Sequence, residues 1–172
     1  ASGDNGTSLG AATFAANSAG EKTHKMEHVY LGPKFSSEEC VAACEAHPEK
    51  PIFTKVDNFP QKAAELLATG HPLAWFQGRM EFGPRSLGCR SILGDPSYPG
   101  VADRINAQIK YRERWRPFCP SMLDRVAEDL LQTDHPAQYM TFTFDVNPAW
   151  NDRIPEVVHE DGTARAQVVT YE

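Results

Sequence analysis

Eight of the 17 lysines and arginines lie between residues 77 and 116: Arg79, Arg85, Arg90, Arg104, Lys110, Arg112, Arg114 and Arg116. Four acids share the segment, Glu81, Asp95, Asp103 and Glu113, so it carries +4 while the rest of the chain carries −10. A local excess of one sign within an opposite-sign chain points to a built anion site. Lys110, Arg112, Arg114 and Arg116 recur at every second residue. In an extended segment they share one face, and adjacent cations repel unless an anion sits among them. A charged edge strand that deters aggregation is the competing reading. Upstream, Gly78, Gly83 and Gly88 bracket Arg79, Glu81 and Arg85. Glycines at that density let backbone N–H groups approach a phosphate, and arginine adds a bidentate fork. Trp75, Phe76, Met80, Phe82 and Leu87 tie this loop to a core. Its spacing fits neither standard nucleotide fingerprint, G-x-x-x-x-G-K-[ST] or G-x-G-x-x-G. The residues alone therefore reach a polyanion or nucleotide-phosphate site and stop there.

The elements that must hold these side chains follow from spacing and punctuation. Small residues over 7–19 predict a tightly packed helix, and 20–27 a polar linker. Residues 28–31 and 52–55 are predicted as short strands. Ser36 at an N-cap with Glu39 at N3 makes a capping box, which predicts a helix over 37–47. Pro60 suits a first helical turn and Gly70 a stop, with Ala63, Leu66 and Leu67 at helical spacing between them. Residues 72–76 read as a buried strand. Val101, Ile105 and Ile109 repeat at i, i+4, i+8, an amphipathic helix over 100–110. A short helix follows over 124–132, and 139–144 alternates as a strand. Asp161-Gly162 is a turn signal for a hairpin joining 155–159 to 164–170. The predicted class is α+β with a mostly antiparallel or mixed sheet.

A chain of 172 residues holds one domain, or about one and a half. Hydrophobic residues make up 41% and charged residues 23%, ordinary for a globular protein. No apolar run is long enough to span a membrane, and no signal peptide is visible. The net charge of −6 argues against a general nucleic-acid binder. Cys40, Cys44, Cys89 and Cys119 form no C-x-x-C pair, so a zinc ribbon is not expected, and free thiols in the cytoplasm are. The chain opens without Met on a glycine turn that runs into a helix, and it ends inside a β-type run. It is read as a piece of a longer protein.

At this point the residues become recognisable. Phe76-Gln-Gly-Arg-Met-Glu-Phe-Gly-Pro-Arg-Ser-Leu-Gly-Cys-Arg-Ser-Ile-Leu93 resembles the signature of the NodU/TobZ-type O-carbamoyltransferases. The likeness continues through Asn106 and Lys110-Tyr-Arg-Glu-Arg-Trp-Arg-Pro-Phe-Cys-Pro-Ser121, and resumes at Ile154-Pro-Glu-Val-Val-His-Glu-Asp-Gly-Thr-Ala-Arg-Ala-Gln167. Gly3-Asp-Asn-Gly-Thr-Ser-Leu-Gly-Ala-Ala12 resembles the last motif of that family's first domain.

The resemblance implies two domains. Residues 1–27 would be the tail of an actin/Hsp70-like, metal-binding transferase domain with its linker. Residues 28–172 would be a YrdC-like domain, a mixed sheet with flanking helices, truncated at its C-terminal end. Such a domain uses ATP (with Mg) and carbamoyl phosphate to make carbamoyl-adenylate. The carbamoyl group then passes to a small-molecule hydroxyl acceptor at the first domain, which holds Fe or another divalent metal. Family acceptors include Nod-factor sugars, aminoglycosides, ansamycin macrolactams and cephem hydroxymethyl groups. The implied partners are that acceptor and the rest of the same protein, with a homodimer compatible, and neither membrane nor nucleic acid is expected.

Carried over by motif, Lys110 and Arg112 resemble a K-x-R element that holds nucleotide phosphate. Arg79, Arg85, Arg90 and Arg116 are expected to face carbamoyl phosphate or ATP, with Ser121 as a hydroxyl partner. His159, Asp161, Thr163 and Arg165 match an H-x-D-G-T-x-R motif, implying catalytic roles for His159, Asp161 and Arg165 and ligand binding for Thr163. Asp4 matches an acidic metal ligand. Read without that context, Asp4 is a helix-start acid and Asp161 a turn residue.

Three departures stand out. Cys89 replaces a family Asn, and Trp115 and Cys119 replace Phe and Ala. The family's His-rich metal motif and its downstream Asn-Thr-Ser-Phe-Asn segment are missing, which leaves Asp4 without co-ligands and the nucleotide site open on one side. The alternative to an enzyme is a YrdC-like nucleotide or RNA binding module without carbamoyl transfer. A pure binding groove interleaves aromatics with its cations, and here Tyr111 and Trp115 alone do so.

Overall fold

The structure is a computed structural model that describes residues 3–170. Tyr171 and Glu172, at the end of the predicted β-type run, lie outside the described residues. The chain is α+β and divides into two compact units. One comprises Ala1–Asp57 and Trp75–Ser91, the other Asn58–Ala74 and Ile92–Glu172.

In the first unit, α1 (Asp4–Ser18) buries no side chain. Its small residues therefore form a helix without the tight packing expected of them, and Phe14 is 75% exposed. Helix α2 (Ser37–Ala46) realises its capping box: the Glu39 N–H donates to Ser36 Oγ at 3.2 Å, and the Ser36 N–H to Glu39 Oε2 at 2.7 Å. Residues 28–31 form no strand. They run irregularly beside 79–82, through Phe82 N–H to Val29 O, Gly32 N–H to Met80 O and Met80 N–H to Pro33 O. Pro33 has no N–H to extend such a ladder, which shrinks to one bridge, Lys34 to Arg79. Residues 52–55 have no strand partner either, and Ile52 is fully exposed.

The second unit opens with α3 (Phe59–Ala68), capped by Asn58, whose side chain accepts the Gln61 N–H. The helix stops ahead of Gly70 at φ +80°, as its glycine signalled. Strand β1 (Leu73–Phe76) pairs with β2 (Arg90–Leu93), and the division between the units falls within both strands. Helix α4 (Val101–Ile105) follows, then β3 (Ser121–Leu123), α5 (Asp124–Leu131), β4 (Phe144–Asp145), β5 (Thr163–Ala164) and β6 (Gln167–Val169). Sheet pairing is mixed: β3 lies parallel to β6, and β4 antiparallel to β5. Helix α5 buries Ala127, Leu130 and Leu131 into the core with Val146, Ile154, Val157, Ala164, Ala166 and Val168.

Two predicted strands shrink here. The run 139–144 is broken by Met140 in the left-handed region (φ 53°), so pairing begins at Phe144. The Asp161-Gly162 turn forms, closed by Gly162 N–H to His159 O and His159 N–H to Thr163 O. Its partner is not 155–159, which folds as turns; β5 pairs with β4 instead.

Candidate functional site

Helix α4 passes directly into a π-helical turn, Asn106–Lys110. The wider turn rotates later residues out of α register. Val101 and Ile105 are thus buried while Ile109, the third of the predicted stripe, is 42% exposed. Tyr111 ends the turn in the left-handed region (φ 46°), and the N–H groups of Tyr111 and Arg112 both point at the Asn106 carbonyl. The chain leaves as turns and irregular backbone rather than as a strand. The single face expected for Lys110, Arg112, Arg114 and Arg116 is therefore not formed.

Each basic side chain has surroundings of its own. Lys110 is exposed. Arg114 Nε donates to Asp103 Oδ1 at 2.8 Å, and Arg116 pairs with Glu113 at 3.6 Å. Arg112 is half-buried, with its guanidinium 4.6 Å from the Phe118 ring centroid and its Nε–H donating to Asn106 Oδ1 at 2.6 Å. Asn106, 1% exposed, also donates its Nδ2 to the carbonyls of Arg114 (3.4 Å) and Arg116 (3.2 Å).

The parallel pairing of β3 with β6 brings a second segment to the same place. Ser121 stands opposite Gln167 and donates to its Oε1 at 3.0 Å, while the Gln167 N–H donates to Pro120 O at 2.9 Å. Two residues back along both strands, Arg165 directs its Nε–H to Cys119 Sγ at 3.1 Å. Arg112 is held below ordinary arginine basicity, first by burial and then by the charge of Arg116. Cys119 and Glu113 oppose that shift, and Arg165 adds a smaller push in the same direction. Arg116 and Arg165 thus both act against the charge of Arg112, which an anion beside Arg112 would favour.

His159, Asp161 and Thr163 meet at the Asp161-Gly162 turn. Thr163 Oγ1 donates to Asp161 Oδ1 at 2.7 Å and lies 3.0 Å from His159 Nδ1; the Thr163 N–H also reaches Asp161 Oδ1 at 3.0 Å. The Asp161 carboxyl is held below the usual carboxylate range, first by the Thr163 hydroxyl and then by the Thr163 N–H. His159 Nε2 is buried without a hydrogen-bond partner. His159 and Arg116 line one cavity of about 200 Å³, and Cys119 and Ser121 line another of about 210 Å³. Phe118 and Glu156 border both. The Glu156 carboxylate takes the N–H groups of Gly100 (2.8 Å) and Ala102 (2.9 Å), satisfying donors that the start of α4 leaves open.

The glycine-rich loop of the first unit uses its backbone differently from expectation. Its N–H groups at Leu87 (2.8 Å), Cys89 (2.7 Å) and Arg90 (3.3 Å) all converge on Glu81 Oε1. A protein carboxylate occupies the nest that the glycines suggested for a phosphate. Arg90 is drawn into the same cluster through Nε to Glu81 Oε2 at 3.1 Å. Arg79 Nη2 reaches Leu31 O at 3.5 Å, and Arg85 is exposed. Asp4 is exposed in the first turn of α1. Among the described residues no group of three His, Cys, Asp or Glu side chains stands close enough to hold a metal ion, and Asp4 alone does not make a metal site.

Glu81 and Asn106 hold arginines in place without being expected site residues. Their signal was present as one acid and one amide set among arginines, where a buried cation demands a satisfied partner.

The arginines at 112, 116 and 165 and the His-x-Asp-Gly-Thr turn lie in one α+β unit. Residues 64–172 match the model of a family described as carbamoyltransferase C-terminus, and the chain belongs to that family. It is 38% identical to an uncharacterized protein of Methanocaldococcus jannaschii, over 98% of this chain and 29% of that one. It is 39% identical to the nodulation protein NolNO of Sinorhizobium fredii, over 97% of this chain and 25% of the relative. It is 36% identical to the nodulation protein U of Rhizobium tropici, over 97% and 27% respectively. The chain thus spans about a quarter to a third of the length of the curated relatives it matches. Among the described residues, no helix is long and apolar enough to cross a membrane.

Proposed function

We propose that this chain is the carbamoyl-activating part of an ATP-dependent O-carbamoyltransferase, with a YrdC-like fold. It would hydrolyse carbamoyl phosphate to carbamate and phosphate and join the carbamate to the α-phosphate of ATP, releasing pyrophosphate; the carbamoyl group of the resulting carbamoyl-adenylate then passes to a hydroxyl of a small molecule and AMP leaves. The observation that carries this reading is that Arg112 and Arg165, from two distant segments, rest on the neighbouring residues Phe118 and Cys119, while Arg116 lines the cavity that Phe118 borders. Adenylation moves phosphate charge, and cations placed where that charge develops are the largest available source of catalysis. Lys110, Arg112 and Arg116 would hold phosphate. Arg165, His159 and Asp161 would act on the carbamoyl end, with Thr163 and Ser121 as hydroxyl partners. Arg79, Arg85 and Arg90 belong to the proposed ligand-binding set through their motif, and Arg90 shares its charge with Glu81.

The acceptor would be of sugar, antibiotic or Nod-factor type. The names of the nodulation relatives support the last of these. Acceptor contacts would come from the metal-binding, actin/Hsp70-like domain of the same polypeptide, to which Asp4 and α1 would belong. No step proposed for this chain runs through that metal. Cytoplasmic placement fits the need for ATP and the four free cysteines.

Calorimetry with ATP at low salt tests the site. Binding should weaken as salt rises. Lys110→Ala with Arg112→Ala should abolish it, since each charge-assisted contact contributes about 1.5–3 kcal/mol. A double variant that binds ATP like the parent would remove the phosphate assignment.

A further inference from the structure

We infer that Asn106 is a positioning residue for anion recognition, one that aims the Arg112 guanidinium through its Nε. The inference rests on the phosphate reading of Arg112. Three contacts converge on that side chain. Asn106 Oδ1 takes the Nε–H at 2.6 Å, the Phe118 ring lies under the guanidinium plane, and the Asn106 carbonyl takes the Arg112 backbone N–H at 3.1 Å. One edge and one face of the guanidinium are thereby fixed. No hydrogen bond among the described residues occupies either Nη, and neither Nη is sealed from solvent. A planar fork pinned at Nε presents its two Nη groups together, the geometry that bidentate oxyanion binding needs.

Asn106 can hold this position because of where the helix changes. It is the first residue of the π turn and is 1% exposed, so its amide cannot swing into water. Its Nδ2 is anchored on the carbonyls of Arg114 and Arg116, which fixes the orientation of Oδ1 toward Arg112. π turns of this kind recur at functional sites. Arg112 gives up ordinary arginine basicity at this spot, and a side chain held against repulsion must be restrained by something other than charge.

The test is a double-mutant cycle read by ATP calorimetry at low salt: parent, Asn106→Ala, Arg112→Lys and the double variant. Lysine keeps the charge and has no Nε for Asn106 to hold. Asn106→Ala should weaken ATP binding about tenfold in the parent background and less than about twofold in the Arg112→Lys background. Equal losses in both backgrounds would overturn the positioning role and leave the phosphate reading standing. A parent chain that does not bind ATP would overturn both. A second readout is the slowly exchanging Arg112 Nε–H resonance in NMR, which Asn106→Ala should lose. Should that variant not fold, Asn106→Asp keeps an acceptor oxygen for the Arg112 Nε–H and replaces the two amide donations by a carboxylate charge that itself attracts the guanidinium. It should retain the Nε–H resonance, and losing it would overturn the inference.

Discussion

Glu81 and Arg90 are joined twice: Arg90 Nε donates to the Glu81 carboxylate at 3.1 Å, and Arg90 Nη2 to the Glu81 carbonyl at 3.3 Å. The Glu81 side chain is fully buried while that of Arg90 is 39% exposed. Burial by itself raises a carboxyl's pKa. Here the backbone N–H groups of Leu87 and Cys89, with Arg90, outweigh it and hold Glu81 below the ordinary value of 4.5. A depressed carboxylate contributes stability that is present above that ordinary value and is lost as pH falls through the lower folded one. Urea midpoints should therefore fall on acidification below about pH 4.5. Glu81→Ala should cost about 2–4 kcal/mol at neutral pH, because it strips the acceptor from a buried cluster. It should also flatten the acid limb. A variant with the parent's midpoint and the parent's acid limb would show that the loop does not depend on this carboxylate.

The same cluster sets the reactivity of a thiol. Burial, and then the Glu81 carboxylate, push the Cys89 thiol up, and Arg90 offsets part of this. Since the thiolate is the reacting form, Cys89 should be the slowest of the four cysteines to alkylate at neutral pH. Cys40, which is exposed, should be the fastest. Timed iodoacetamide labelling with peptide mass mapping checks the order. Equal rates at Cys89 and Cys40 would mean that the loop around Glu81 opens readily in solution.

Gly70 is held by two independent demands. Its φ of +80° is left-handed, and a Cβ there would overlap the Tyr98 ring. Its carbonyl also takes Arg104 Nη1 at 2.8 Å, so the backbone cannot drift away freely. Gly70→Ala should destabilise by about 2–4 kcal/mol, a clash added to backbone strain. In a Tyr98→Ala background the clash disappears and a cost of about 1–2 kcal/mol for the backbone should remain. Chemical denaturation of the four proteins gives the coupling; strict additivity would show that Tyr98 is not what the glycine avoids.

Signals confined to a few residues were legible in the sequence. The Ser36–Glu39 capping box, the Gly70 stop and the Asp161-Gly162 turn all formed where read. Each depends on neighbours within four or five positions. What failed was non-local or conformational. The turn at Asp161 did not reveal that β5 pairs with β4, since the choice of partner strand is made by the packing of α5 and the core. Alternation over 139–144 did not announce a left-handed Met140. The alternating cations lost their shared face because the π turn and the left-handed Tyr111 redirect the chain. Hydrophobic period carries no mark for one inserted residue per turn. The arginines could be named from the sequence, whereas their pairing with Glu81, Asn106 and Cys119 depends on the folded chain.

The hydroxyl of Thr163 has one hydrogen to give, and it lies between two claimants. At 2.7 Å from Asp161 Oδ1 the hydroxyl must be the donor, since an ionised carboxylate only accepts. The 3.0 Å contact to His159 Nδ1 then requires the imidazole to donate, which fixes the neutral ring in its Nδ1–H form. Nε2 is left with its lone pair, buried and unpartnered, on a residue that shares a cavity with Arg116. A lone pair in that position is what a proton-accepting role for His159 requires. Long-range 15N–1H correlation of the neutral imidazole should therefore report Nδ1 protonated. Thr163→Ser keeps the relay and should keep that pattern. Thr163→Val removes the acceptor at Nδ1 and should shift the ring toward the Nε2–H form. Finding Nε2–H in the parent would make the Thr163 hydroxyl the donor to His159 Nδ1, take its hydrogen away from Asp161, and remove the proton-accepting reading of His159.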